Sequence, residues 1–168
     1  MIPTDQFQRL FEYEQNAHAK MLESVRLAAP HHQADADFIR IIDLASHIVT
    51  CRGMWLTRIR GGIGLPSTLF PTGLTLIDLE REVARTEQEW REYLETIDER
   101  ELVRCVDYVS YEGGVFRSSV HDILVQLFGH SLYHRGQIAL LLRRLGASPA
   151  ATDFVFWSRT VMPEEHGL

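Results

Sequence analysis

Apolar residues recur at spacings of three and four along most of this chain, the period of helices that bury one face. From Thr4 to about Ala29 the series is Phe7, Leu10, Phe11, Ala17, Met21, Leu22 and Val25. Thr4 is a candidate N-cap, Asp5 suits the positive end of the helix dipole, and Pro30 is expected to close the segment. A second helix is expected from Gln33 to Ile59, with Ile41, Leu44, Ile48, Cys51, Trp55 and Ile59 as its stripe and Gly61-Gly62 as its end. The third, Leu74 to Ile97, is the most regular. Leu76, Leu79, Val83, Thr86, Trp90, Leu94 and Ile97 share a face, while Glu80, Arg81, Glu82, Arg85, Glu87 and Glu89 form a solvated one. The fourth, Val120 to Gly146, is apolar on nearly every side, with Ser119 and Asp122 placed as a capping pair.

Between these runs the pattern breaks twice. Gly61 to Gly73 holds four glycines and two prolines, which excludes helix interior. Its length permits a crossover between non-adjacent helices. Leu102 to Ser119 changes to β-branched and aromatic residues on both sides of Glu112-Gly113-Gly114, a β-hairpin pattern. After Gly146, the Phe154–Trp157 cluster is too apolar to leave in water and should fold back on the bundle or on a partner. The expected architecture is all-α: a four-helix bundle with one long crossover, plus a small β-hairpin before the fourth long helix. Residues 1–168 suffice for a single domain with one substantial core.

Composition narrows the function classes. Hydrophobic content of 45% and charged content of 24% are those of a globular protein. A net charge of −6 argues against nucleic acid, because no basic excess exists to replace phosphate counterions. No run approaches the ~18 apolar residues of a membrane span, and no signal peptide is visible. Two cysteines, Cys51 and Cys105, are too few for a disulfide framework, and a reducing, cytoplasmic setting fits.

The histidines carry the chemistry. His130 and His134, one turn apart, share a face of the fourth helix with Gln126, Tyr133 and Gln137. Two core histidines bonded to Gln137, Tyr133 or water would be a purely structural arrangement. Two buried rings need twice the partners of one, however, and His47 lies midway along another helix at the border of its buried face. Bundle interiors build metal sites from facing side chains. Three neutral imidazoles on a borderline ion such as Zn²⁺ or Ni²⁺ leave a position for water or substrate, the open arrangement of catalytic sites. Gln137 and Tyr133 are candidates to position that substrate or water. His18 is a weaker fourth ligand candidate, and His31, His32, His121 and His166 sit at helix ends or in the tail, where they read as solvated. Cys51 is either a soft ligand or simple packing, and Asp43 either orients His47 or is solvated. Ser131 stands where a zincin protease needs Glu, and no Glu-x-x-His occurs, which disfavours a ferritin-like di-iron site.

The segment His130-Ser-Leu-Tyr-His134-Arg135-Gly136-Gln137-Ile138, followed by LLRRLG, resembles the H-x-x-x-H-R-G-Q helix of the DinB/YfiT-like superfamily. Asp43-Leu-Ala-Ser-His47 with Met54-Trp55-Leu56-x-Arg58-x-x-Gly61 is similar to that family's second-helix histidine region, and Tyr111-Glu-Gly-Gly and Asp153-Phe154 also match. The resemblance covers nearly the whole chain. It implies one divalent metal on His47, His130 and His134, often in a homodimer; better-understood relatives use the metal to activate a low-molecular-weight thiol in transferase or isomerase reactions. Other relatives are known only as damage-inducible proteins or metal-dependent hydrolases. Gln126 stands where many relatives carry a further histidine, and the first helix has Glu14, Asn16 and His18 in place of part of the usual pattern.

Two functions follow. One is a metal-dependent enzyme that activates a thiol or water nucleophile. The other is a metal-stabilised, non-enzymatic binding or stress-response module. A homodimer is expected on either, because the fourth helix has more apolar faces than one core can use.

Overall fold

The computed structural model describes residues 4–161, so His166 lies outside the described residues. In chain order the elements are α1 (Thr4–His32), α2 (Ala36–Ile59), α3 (Leu76–Glu95), α4 (Glu99–Val103), β1 (Cys105–Val109), β2 (Val115–Ser119), α5 (Val120–Arg144) and α6 (Phe154–Ser158). The four long helices appear where the apolar period places them, and the hairpin precedes the last of them. Several boundaries differ. α3 is two residues shorter at each end than the Leu74–Ile97 expected, and α5 ends at Arg144, before Gly146. Pro30 does not close α1, which continues to His32; near a helix end a proline forfeits only one backbone bond and the helix can carry through it. The second helix begins at Ala36 behind Asp35, not at Gln33. The hairpin does not begin at Leu102, because Leu102 and Val103 belong to α4, where Leu102 is buried.

Local chemistry explains the ends. Thr75 accepts a hydrogen bond from the Asp78 backbone while Asp78 receives one from the Thr75 backbone, a complete capping box on α3. Ser119 Oγ accepts from the Asp122 N–H at 3.1 Å and starts α5. At the end of α2, Gly61 takes φ of 68°, a left-handed turn that suits a residue without Cβ. Its N–H bonds Arg58 O, and that of Gly62 bonds Thr57 O.

Two apolar clusters lie at opposite ends of the bundle. One joins Val25 and Ala28 of α1, Phe38 and Ile41 of α2, Leu79 of α3 and Leu142 of α5. The other joins Phe7, Leu56, Trp90, Leu94, Leu102, Val120 and Leu124. The starts of α2 and α3 therefore share one end with the finish of α5, so α2 and α3 run parallel. The connection between them has to return along α2, ~36 Å at 1.5 Å per residue. Residues 60–75 can span that at up to ~3.3–3.6 Å each. The long crossover is present as expected, but the two helices it joins are neighbours that pack side by side, not the non-adjacent pair its length permits.

The hairpin pairs Cys105 with Ser119 and Val109 with Val115, and Tyr108 sits edge-on to Trp55 of α2 at 4.9 Å. The tail folds back as expected: Phe154 and Trp157 pack on Tyr13 at 5.1 and 5.9 Å. No helix among the described residues is long and apolar enough to cross a membrane.

Candidate metal centre

Between the two apolar clusters lies a waist of buried polar side chains. It contains Glu14 and His18 from α1, His47 and Arg52 from α2, Thr86 from α3, and Ser131, His134 and Arg135 from α5. Helical spacing creates it. Each residue stands in phase with its helix's apolar stripe, so folding drives it inward along with its neighbours. A waist of this kind survives only if its members satisfy one another.

Most of them do so, in two groups, while Thr86 Oγ1, His18 Nε2 and Arg135 Nε have no hydrogen-bond partner among the described residues. In the first, Glu14 is 2% exposed, receives Arg135 Nη1 at 2.7 Å and Arg52 Nη1 at 3.1 Å, and lies 3.7 Å from His18. Burial pushes the Glu14 carboxyl up, but His18, Arg52 and Arg135 together outweigh it and hold the group below the usual carboxylate range. His18 is committed here, with Nδ1 3.1 Å from Glu87 Oε1. It is therefore not a fourth ligand candidate beside the other histidines.

The second group is His47, His130 and His134, whose ring nitrogens come within 4.8 Å of one another. The ring centroids are 4.5 to 4.9 Å apart. His47 Nδ1 lies 2.6 Å from Leu69 O. A carbonyl can only accept, so Nδ1 carries the proton and Nε2 keeps its lone pair. His134 Nδ1 faces Gln137 Oε1 at 2.8 Å, which fixes the same tautomer. His47 Nε2 then meets His130 Nε2 at 3.0 Å, while His130 Nδ1 is buried without a partner among the described residues. Burial pulls the His47 pKa below its usual value. Burial, with His134, His47 and Arg52 nearby, brings that of His130 to about 4. All of this favours neutral rings: His47 and His134 keep Nε2 unprotonated, and His130 Nε2–H donates to His47 Nε2. Around a tetrahedral ion with Zn–N bonds of ~2.0–2.1 Å, two nitrogens stand about 3.3 Å apart, so the cluster could hold a metal ion after a small closing movement.

The crossover shapes this centre more than any helix beyond α2 and α5. Leu69 O orients His47, and Phe70 stacks on the same ring at 4.0 Å with an interplanar angle of 4°. Asp43 forms no hydrogen bond or ion pair with His47 and lines another cleft, half-buried, so the orienting acceptor is a loop carbonyl. Cys51 Sγ lies 3.6 Å from His47 Nδ1, and burial pushes its thiol up to about 11. Tyr133 is exposed, edge-on to His134 at 5.0 Å. Gln126 is exposed at the rim of a cleft. His31 is exposed, and His32 and His121 are half-buried beside Asp35 and Asp122.

That cleft, of about 570 Å³, opens from His47, Cys51 and His130 and is walled by Trp55, Arg58, Phe70, Tyr108 and Tyr111. Sequence reasoning passed over Arg58, Leu69 and Phe70 as site residues, and also the Glu14–Arg52–Arg135 group. Arginines and a glutamate in phase with apolar stripes were the available signal for that group. A helical bundle with three histidines clustered at its polar waist, two of them lining a cleft, defines a class of candidate metal-binding bundles. The chain belongs to the DinB family, whose model matches residues 1–165. No curated protein sequence matches it.

Proposed function

We propose that this protein is a metal-dependent enzyme in which His47, His130 and His134 hold one divalent ion, Zn²⁺ or Ni²⁺, and a small molecule reacts in the adjoining cleft. The observation that carries this reading is the pair of Nδ1–H bonds to Leu69 O and Gln137 Oε1, which leaves Nε2 of His47 and His134 unprotonated, in a group of three rings whose ligand atoms lie within 4.8 Å of one another. When bound, such an ion lowers the pKa of a thiol or water, so that a nucleophile exists near neutrality. The chain's own residues do the remaining work. Phe70 and Leu69 hold the His47 ring, and Gln137 holds that of His134. Trp55, Phe70 and Leu127 line the cleft and limit water. Tyr133, exposed and edge-on to His134, is the proposed further substrate contact, although it does not line this cleft. A low-molecular-weight thiol is the proposed nucleophile, in a transferase or hydrolase-like reaction.

A second reading, a metal-stabilised module without turnover, is favoured by one observation. None of the three rings hydrogen-bonds to an Asp or Glu among the described residues, so no general base touches the centre. A thiol-transfer screen, run beside thermal melting with and without chelator, separates the two. Turnover abolished by chelation supports the enzyme; strong destabilisation on chelation without any turnover supports the module. A second copy of the chain is the proposed partner, since Val125, Leu132 and Leu140 of α5 and Phe156 of α6 remain exposed.

A further inference from the structure

Arg58 is the cleft residue that the metal reading leaves unused. It lies three turns beyond His47 on α2, where side chains lean toward the helix start and so back toward the histidines. Its guanidinium is gripped by aromatic rings, 4.9 Å from the Trp55 centroid, 4.8 Å from Tyr108 and 5.7 Å from Tyr111. Nη2 donates to Val109 O at 2.7 Å. Tyr111 is itself tied to the crossover, donating to Pro66 O at 2.7 Å. The group is thus held in place by α2, the hairpin and the crossover together.

What it lacks is a counter-charge. Arg58 makes no ion pair among the described residues, and its buried Nε has no hydrogen-bond partner. Aromatic faces attract a cation but accept none of its in-plane N–H groups. Glu112, the carboxylate that also lines the cleft, is exposed on the hairpin turn and does not reach it. A fixed, uncompensated guanidinium in a cleft walled by Trp55, Phe70 and Tyr111 matches one ligand chemistry best. That is a planar carboxylate, which the arginine fork binds in its own plane, on a body that packs against rings.

We infer that Arg58 is the anion subsite of the cleft, and that the substrate is a small organic acid. Its carboxylate is held by Arg58 while its reacting atom lies toward His47 and His130. The inference rests on reading the cleft as the substrate site of the histidine centre. Arg58 is a binding residue here and takes no part in bond making.

Phenylacetate and its uncharged isostere phenylacetamide are suitable probes, titrated by calorimetry into the full-length protein as purified, with metal content measured on the same samples. Wild type should bind the acid at least about tenfold more tightly than the amide, the scale of one charge-assisted hydrogen bond. R58Q should lose that preference while keeping wild-type metal content, and Arg58→Lys should restore part of it. Equal binding of acid and amide by wild type, no binding of the acid, or an undiminished preference in R58Q would overturn the inference. The acid–amide contrast in wild type needs no variant, so a poorly folded R58Q leaves the test intact. If wild type prefers the acid but carries no metal, the metal reading fails and the Arg58 subsite stands.

Discussion

Because Leu69 O and Gln137 Oε1 each receive an Nδ1–H, the histidine rings are aimed by groups that would never touch the ion. Partners of that kind typically change metal affinity by ~10–100-fold when removed. Gln137→Ala should weaken metal binding to that extent, measured by competition with a chromophoric chelator, with little change in the melting temperature. An unchanged affinity would mean that the His134 ring is held by packing alone. The Glu14 group calls for the opposite outcome. Glu14→Ala strands Arg52 and Arg135 in the core, and breaking a buried pair from one side costs ~3–5 kcal/mol. Urea unfolding should show a loss of that order, while the histidine centre, which Glu14 does not contact, keeps its metal.

At the level of helices, hairpin and loops, much of the fold could be read from periodicity. Long amphipathic helices announce themselves, and so does a hairpin flanked by β-branched residues. The short α4 did not, because five residues hold too few turns to show a period. Its one signature is Asp98 three residues before Glu101, where Asp98 Oδ1 accepts the Glu101 N–H at 2.7 Å. The candidate centre was half visible. Three histidines on two helices could be picked out as residue types, whereas the Leu69 carbonyl could not, since every residue has one and only the crossover's path brings this one to His47. His18 misled for the converse reason: its type suggested a ligand, but Glu14 and Glu87 already occupied it. The crossover is therefore the element to test. Phe70→Ala removes the ring stacked on His47 from a half-exposed loop position. It should lower metal affinity severalfold while shifting the melting temperature by only a few degrees, as expected for ~1 kcal/mol or less. A large loss of stability with unchanged affinity would show that the loop serves the fold and not the centre.

For the molecule as a whole, the buried waist sets the response to acid. The His130 pKa falls from 6.5 to about 4 on folding, and the Glu14 pKa lies below its usual 4.5. Both groups take up protons more readily when unfolded, so stability rises with pH across their titrations. The His130 contribution is fully present above pH 6.5 and declines as pH falls toward about 4. The Glu14 contribution persists above 4.5 and is lost below it. Urea unfolding of ion-free protein should therefore show stability falling in acid in two overlapping stages, with no gain at any step. A stabilisation between pH 6.5 and 4 would contradict this assignment of the rings as neutral. Light scattering at micromolar concentration should give the mass of a dimer; a monomer would remove the proposed partner and leave the centre unaffected.

The central claim is that three histidines at the waist of this bundle hold one ion, and it is most directly tested by elemental analysis of protein purified without an affinity tag. Wild type should carry about one Zn²⁺ or Ni²⁺ per chain, as a three-histidine site implies, and His47→Ala, His130→Ala and His134→Ala should each lose it. Wild type without stoichiometric metal, or His134→Ala with its metal fully retained, would contradict the account.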